Sequence, residues 1–264
     1  MRVAAVQFAP GLDKPANRAV LAALIEDAAD DGASLVVAPE GAMHDFGPKD
    51  LALAGIAETL DGPFVTALSV VAARRGVRVI AGMFEAVPDD PARVYNTVVA
   101  VGPDGLIGSY RKQHLFDALG WTESDRLAAG VPGEQLVVEC EGFRVGVLTC
   151  YDVRFPELAR ALVDAGTTML AVPSAWVAGP GKAAQFRALA TARAIENVCY
   201  LVAAVAPPPT YTGESCVIEP FGEVLAELGT ASGMCAADVS PERVASCREQ
   251  MPSLRNRRWA VTPR

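Results

Sequence analysis

The chain has 264 residues, 51% of them apolar, and a mean hydropathy of +0.25, which is enough for one large core and predicts a single domain over 1–264. A formal charge of −8 leaves no basic stripe for nucleic acid and no polybasic segment for an anionic membrane. No apolar run approaches the roughly 20 residues that span a bilayer, and MRVAAVQFAP at the amino end is too short and too interrupted by Gln7 for a signal peptide, so a cytoplasmic protein acting on a small molecule is expected.

Short apolar runs rich in β-branched residues recur at 2–8, 34–40, 77–85, 96–105, 144–152, 167–176, 199–206 and 214–223. Each predicts a strand. Segments with helical periodicity lie between several of them, at 15–31, 62–75, 156–165 and 182–197. Alternating strands and helices indicate an α/β protein whose buried strands read as continuous apolar stretches. The stretches 96–112, with Pro103-Asp104-Gly105 inside, and 215–228, with Pro220-Phe221-Gly222 inside, read instead as hairpins. Mixed sheets follow. There is no internal repeat, no low-complexity tract and no linker longer than the Pro-rich 206–210.

The six cysteines (140, 150, 199, 216, 235 and 247) form no C-x-x-C pair, so neither a zinc knuckle nor a dithiol redox motif is expected. Most should be small buried hydrophobes. With only His44 and His114 present, a site built from several histidines around a metal is nearly excluded, and no metal or organic cofactor is expected. Three other polar residues stand where apolar runs end: Glu40 in VVAPEGAM, Lys112 in SYRKQH and Cys150 in VLTCYD. Strand exits are where α/β folds gather their sites. A carboxylate that takes a thiol proton, and an ammonium that stabilises both thiolate and oxyanion, make a set sufficient for acyl transfer. Each residue alone has an ordinary reading: a packing cysteine, a turn glutamate, a solvated lysine.

Taken with their neighbours, these residues resemble the nitrilase, or carbon–nitrogen hydrolase, superfamily. The resemblance runs from VAAVQFAP (3–10) to MPSLRNRR (251–258) and rests on VAPEGAM, YRKQHLFD and LTCYDVRFPEL, with PSAW (173–176), ARAIENVCY (192–200) and 213–227 in support. It implies a four-layer αββα sandwich with two mixed β-sheets, a Glu40-Lys112-Cys150 triad, and an oxyanion held by Lys112 and the backbone N–H of Tyr151. A second glutamate of that family matches Glu123 in WTES, where Trp121 replaces the usual Phe. The CYDVRFPEL stretch resembles the branch containing ω-amidases and deaminated-glutathione amidases, which act on small linear amides bearing carboxylates. Gln185, Phe186 and Thr191 depart from that branch. Arg154 and Trp176 are the expected substrate contacts beside Tyr151, with Arg154 gripping a carboxylate or else pairing with Asp152 or Glu157 to brace its loop. Tyr110, Arg111 and Phe116 read as scaffold around Lys112. The alternatives are a Cys150–His114 pair, an N-carbamoyl or nitrile substrate, or a non-catalytic binding module. A homodimer or larger homo-oligomer is expected, with 248–261 as an interface arm or a solvated tail.

Overall fold

The computed structural model describes residues 1–263. In chain order the strands are β1 (Arg2–Gln7), β2 (Leu35–Val37), β3 (Arg78–Ala86), β4 (Val94–Gly102), β5 (Gly105–Arg111), β6 (Leu127–Ala128), β7 (Val137–Cys140), β8 (Phe143–Val147), β9 (Met169–Ser174), β10 (Tyr200–Val205), β11 (Cys216–Ile218), β12 (Val224–Glu227) and β13 (Gly233–Asp238). The helices are α1 (Lys14–Asp30), α2 (Pro63–Arg75), α3 (Pro156–Asp164), α4 (Lys182–Asn197) and α5 (Pro241–Gln250).

One sheet runs β13-β1-β2-β3-β4-β5, with β6 added beside β4, and the other runs β12-β11-β10-β9-β8-β7. Both are mixed. In the first, β1, β2 and β3 are parallel while β4 and β5 return antiparallel, and in the second β8, β9 and β10 are parallel with antiparallel β7 and β11 at their flanks. The expected hairpins are β4-β5 and β11-β12, each carrying a register shift, at Ala100/Val101 and at Val217/Ile218.

Strand pleating sorts the side chains into layers. Along β1, Val3 and Ala5 join the core that includes Val147, Ala171 and Val202 of the second sheet, whereas Ala4 and Val6 join Leu21 and Ile25 of α1 and Phe64 and Leu68 of α2. The first sheet therefore faces helices on one side and the second sheet on the other. On the far side of the second sheet, Leu158 and Leu162 of α3 and Ala190 and Ala194 of α4 complete the sandwich. The order is αββα.

Helix starts follow their local chemistry. Asp13 caps α1 by accepting from Ala16 N at 3.0 Å, and Ser240 caps α5 by accepting from Arg243 N at 3.1 Å. Proline occupies the first turn of α1, α2, α3 and α5, where its missing N–H costs nothing. The sequence reading lacks β6, β7, β13 and α5. β13, GMCAAD, has no β-branched residue, and α5 buries only Val244 and Cys247, so neither carries a strong periodic signal. Beyond α5 the described residues form no helix or strand, and Trp259 is 86% exposed. No helix of the described residues is long and apolar enough to cross a membrane.

Candidate active site

Glu40 lies three residues beyond β2, Lys112 directly after β5, and Cys150 on a single 3-10 turn (Cys150–Arg154) that follows β8. The first two belong to one sheet and the third to the other, so the site forms along the seam between them. Lys112 Nζ lies 3.0 Å from Glu40 Oε1 and 2.9 Å from Glu123 Oε2, with no exposed surface. Glu40 has no spare freedom. Its Oε1 also accepts from Asn96 Nδ2 at 2.7 Å, and its Oε2 accepts from the backbone N–H of Ala175 at 2.7 Å. Glu123 accepts from Phe116 N at 2.7 Å. Such charge-assisted bonds hold each group in one rotamer.

The loop bearing Glu40 can sit on β3 because residue 82 is glycine. A Cβ there would lie 2.5 Å from Gly41 N and 2.7 Å from Glu40 Cα, closer than any side-chain atom can stand. The turn bearing Cys150 is fixed from inside by Asp152, which is fully buried. Its carboxylate accepts from Thr149 N at 3.0 Å, Tyr110 OH at 2.8 Å and His114 N at 3.2 Å, and faces His114 Nδ1 at 2.7 Å. Cys150 itself adopts φ 47°. A side chain in the left-handed region is strained, and a residue other than glycine persists there only when its surroundings over-determine it. The N–H of Tyr151 donates to no acceptor within the described residues.

Electrostatically the cluster carries more negative than positive groups around one buried ammonium. Burial, then Glu40, push the Cys150 thiol well above its ordinary value, with Lys112 opposing them. Burial works against the Lys112 ammonium, yet Glu123 and Glu40 outweigh it and hold the amine well above the usual range. Glu123 is raised, chiefly by burial. The thiol therefore rests neutral, and charge on sulfur is favoured only when its proton has somewhere to go.

The structure brings Glu40, Lys112, Cys150 and Glu123 together, and opens a pocket above Cys150 that Tyr151, Trp176, Phe116 and Lys182 line. Arg154 stands at the outer part of that opening, its guanidinium 4.9 Å from the centre of the Trp176 ring and hydrogen-bonded to Gln185 Oε1 at 3.0 Å. It pairs with neither Asp152 nor Glu157, because Asp152 is committed to the donors already described. Of the three departures, Gln185 thus meets Arg154 and Phe186 packs 5.1 Å from Trp176, whereas Thr191 lies beneath Gly222, away from the pocket.

Two readings of the scaffold need correction. Phe116 is part of the pocket wall and supplies the N–H that orients Glu123; only Tyr110 and Arg111 look away, toward Asp152 and Glu85. The alternative Cys150–His114 pair is not formed: His114 Nδ1 meets Asp152 Oδ1, and no hydrogen bond joins it to Cys150 among the described residues. Sequence reasoning missed Asn96, Asp152 and Lys182. Asn96 offered one signal, an amide in the middle of an apolar strand.

Two layers of helix over two mixed sheets, with a buried Glu-Lys-Glu cluster beside a thiol at their seam, define a hydrolase of the nitrilase type. The carbon-nitrogen hydrolase family model matches residues 2–249, and the chain belongs to that family. It is 39% identical to the deaminated glutathione amidase of Escherichia coli O157:H7, over 98% of each chain. It is 35% identical to an omega-amidase of Xenopus tropicalis, over 97% of this chain and 95% of that one. Among solved structures, a CN-hydrolase superfamily protein from Xanthomonas campestris, with an arsenic adduct in its active site, superposes with a TM-score of 0.88 at 28% identity, covering 99% of this chain and 98% of the other.

Proposed function

We propose that this hydrolase is a cysteine-dependent amidase that cleaves short linear amides carrying a carboxylate, through a thioester on Cys150. The observation that carries the reading is a fully buried ammonium, Lys112, held at 2.9–3.0 Å by the carboxylates of Glu40 and Glu123, with Glu123 and Cys150 lining one pocket. Glu40 takes the Sγ proton as sulfur attacks the amide carbon. The oxyanion is received by Lys112 and by the free N–H of Tyr151, donors already in place before charge develops. Collapse breaks the C–N bond, and the proton held by Glu40 goes to the departing nitrogen, releasing ammonia or an amine. Water then attacks the thioester while a glutamate takes its proton, the C–S bond breaks, and the proton returns to sulfur. Glu123, raised by burial, orients the amide and shares the proton transfers.

Arg154 supports the carboxylate preference. It forms no ion pair among the described residues, it faces the opening, and its planar fork suits bidentate recognition. A protein of charge −8 repels anions at long range, so a local cation is what would admit one. The proposed partner is thus a small-molecule amide, with no nucleic acid or membrane, in a cytoplasmic homo-oligomer.

The test is an ammonia-release screen across glutaramate, succinamate, N-carbamoyl acids and aliphatic nitriles, with intact-protein mass on wild type and Cys150→Ala. Release from the ω-monoamide acids and an acyl adduct absent from the variant are expected. Turnover confined to nitriles or carbamoyl compounds would overturn the substrate class, and an adduct on Cys150→Ala would overturn the nucleophile.

A further inference from the structure

Arg126 spends its charge on carbonyl groups. Segment 46–51, FGPKDL, turns tightly: Gly47 adopts φ 62°, where a Cβ would stand 2.5 Å from Leu51 Cδ2, and Leu51 N donates back to Pro48 O at 3.0 Å. The curl aims three carbonyls at one point. Arg126 Nη1 occupies it, 3.1 Å from Phe46 O, 3.1 Å from Pro48 O and 3.5 Å from Leu51 O. No carboxylate pairs with this guanidinium among the described residues, so these acceptors are its polar partners there.

The backbone of Arg126 belongs to the turn that carries Glu123. Its N–H closes the 3-10 turn Glu123–Asp125 by donating to Glu123 O at 3.0 Å, its carbonyl accepts from Val94 N of β4 at 3.1 Å, and β6 begins with the next residue. One residue thus connects the first sheet, the turn of Glu123 and segment 46–51, whose Phe46 and Gly47 stand in the pocket lining with Glu123 and Cys150. Phe46 is itself seated edge-on against Phe84 of β3, with centroids 4.9 Å apart. A second tie runs from the same segment to the chain just before Glu123: Lys49 Nζ donates to Gly120 O at 2.6 Å and lies 4.7 Å from the centre of the Trp121 ring. Lys49 is exposed, and water competes for it; Arg126 is half-buried.

Glu123 is sensitive to such a connection because its carboxylate is committed to Lys112 Nζ and to Phe116 N at once. A turn that drifts draws it from both, and a misplacement of about 1 Å costs on the order of 10²-fold in rate. We infer that Arg126 is a positioning residue for the reaction: it fastens segment 46–51 to the turn of Glu123, so that the pocket wall and the glutamate that orients the amide keep one relation to each other. This rests on the amidase reading of the same pocket. The guanidinium takes no part in bond making.

The experiment is a double-mutant cycle on succinamate. kcat and KM are measured for wild type, Arg126→Met, Glu123→Gln and the double variant, with Arg126→Lys and urea unfolding of each protein alongside. Arg126→Met is expected to lose at least tenfold in kcat/KM while still unfolding in one transition, Arg126→Lys to recover part of that loss, and the double variant to be no slower than Glu123→Gln alone. A loss of packing alone would multiply with that of Glu123→Gln, as independent sites do. Multiplied losses, or an unchanged kcat/KM in Arg126→Met, would overturn the inference. Should Arg126→Met not fold, Arg126→Lys takes its place in the cycle under the same criterion. If wild type cleaves no amide, the reaction assignment falls by itself, and the cycle is read as calorimetric binding of succinamate to Cys150→Ala protein. Losses there that fail to add in free energy keep Arg126 as the residue that positions Glu123, and additive losses remove it.

Discussion

The imidazole of His114 points its Nδ1 at Asp152 Oδ1, 2.7 Å away, while its ring stacks on Phe155 with centroids 3.7 Å apart. A histidine engaged on one edge and one face in this way props the nucleophile turn. Replacing His114 by Asn should therefore leave measurable turnover, because the acid that orders the turn keeps its bonds to Thr149 and Tyr110. Asp152→Asn is the severe change: its new NH2 must face a donor that formerly bonded an oxygen. Loss of stability on the scale of a charged hydrogen bond, about 1.5–3 kcal/mol, is expected from urea unfolding. A His114→Asn protein as inactive as Cys150→Ala, with its fold intact, would return the chemistry to a Cys-His pair.

Glu40 and Glu123 separate by what their amides do to Cys150. Glu40→Gln removes both the proton acceptor and a charge that raises the thiol, so acylation should stop while the alkylation profile of Cys150 shifts to lower pH. Glu123→Gln leaves the acceptor and disturbs orientation, with an expected loss on the order of 10²-fold or more. Intact mass after a substrate pulse and alkylation rate against pH read the two effects. An acyl adduct on Glu40→Gln would reassign the base.

Gly82→Ala is a distant probe of the same carboxylate. The added methyl meets the backbone of Glu40 and Gly41 at less than van der Waals distance, so the loop must lift. Overpacking of this kind costs about 1–3 kcal/mol. The sharper readout is kcat: displacement of Glu40 should reduce it well before unfolding does. Unchanged kcat in a stable protein would remove Gly82 from the account.

Alkaline stability should be governed by the buried thiols. Burial raises Cys199 to about 12, Cys216 to about 11 and Cys235 to about 12. An unfolded thiol ionises near 8.5, so above that pH the unfolded chain binds fewer protons than the fold. The stabilisation is complete below about pH 8.5 and is lost as pH rises through each folded value, at about 1.4 kcal/mol per pH unit for each thiol. Urea midpoints between pH 8 and 11 should fall less steeply for Cys199→Ala than for wild type. Parallel slopes would assign the loss to other groups.

How far the sequence leads depends on whether a residue's partners are near it in the chain. The strand exits carrying Glu40, Lys112 and Cys150 are visible as apolar runs that end in a polar residue, and the hairpin turns declare themselves through Pro-Asp-Gly and Pro-Phe-Gly. Asn96 is invisible as a site residue because its partner Glu40 lies 56 positions away, and the role of Asp152 needs Tyr110, 42 positions away, to be seen. Lys182 reads as a solvated lysine at a helix start until the aromatic slot that encloses it exists. The short β13 is stabilised by its register with β1 rather than by its own composition.

One carboxylate joins the two sheets. Through Glu40, Asn96 and Lys112 of the first sheet are tied to the Ala175 amide of the second, and the thiol stands on the second sheet as well. Reactivity is thus a gauge of how the sheets lie on one another. The contact layer between them includes small residues such as Ala5, Ala100 and Ala171. A methyl or two added there would act as a shim, sliding the base from the nucleophile while every strand keeps its hydrogen bonds. The same shear would be the first motion released on warming, so turnover would fade at temperatures where circular dichroism still reports an intact sandwich.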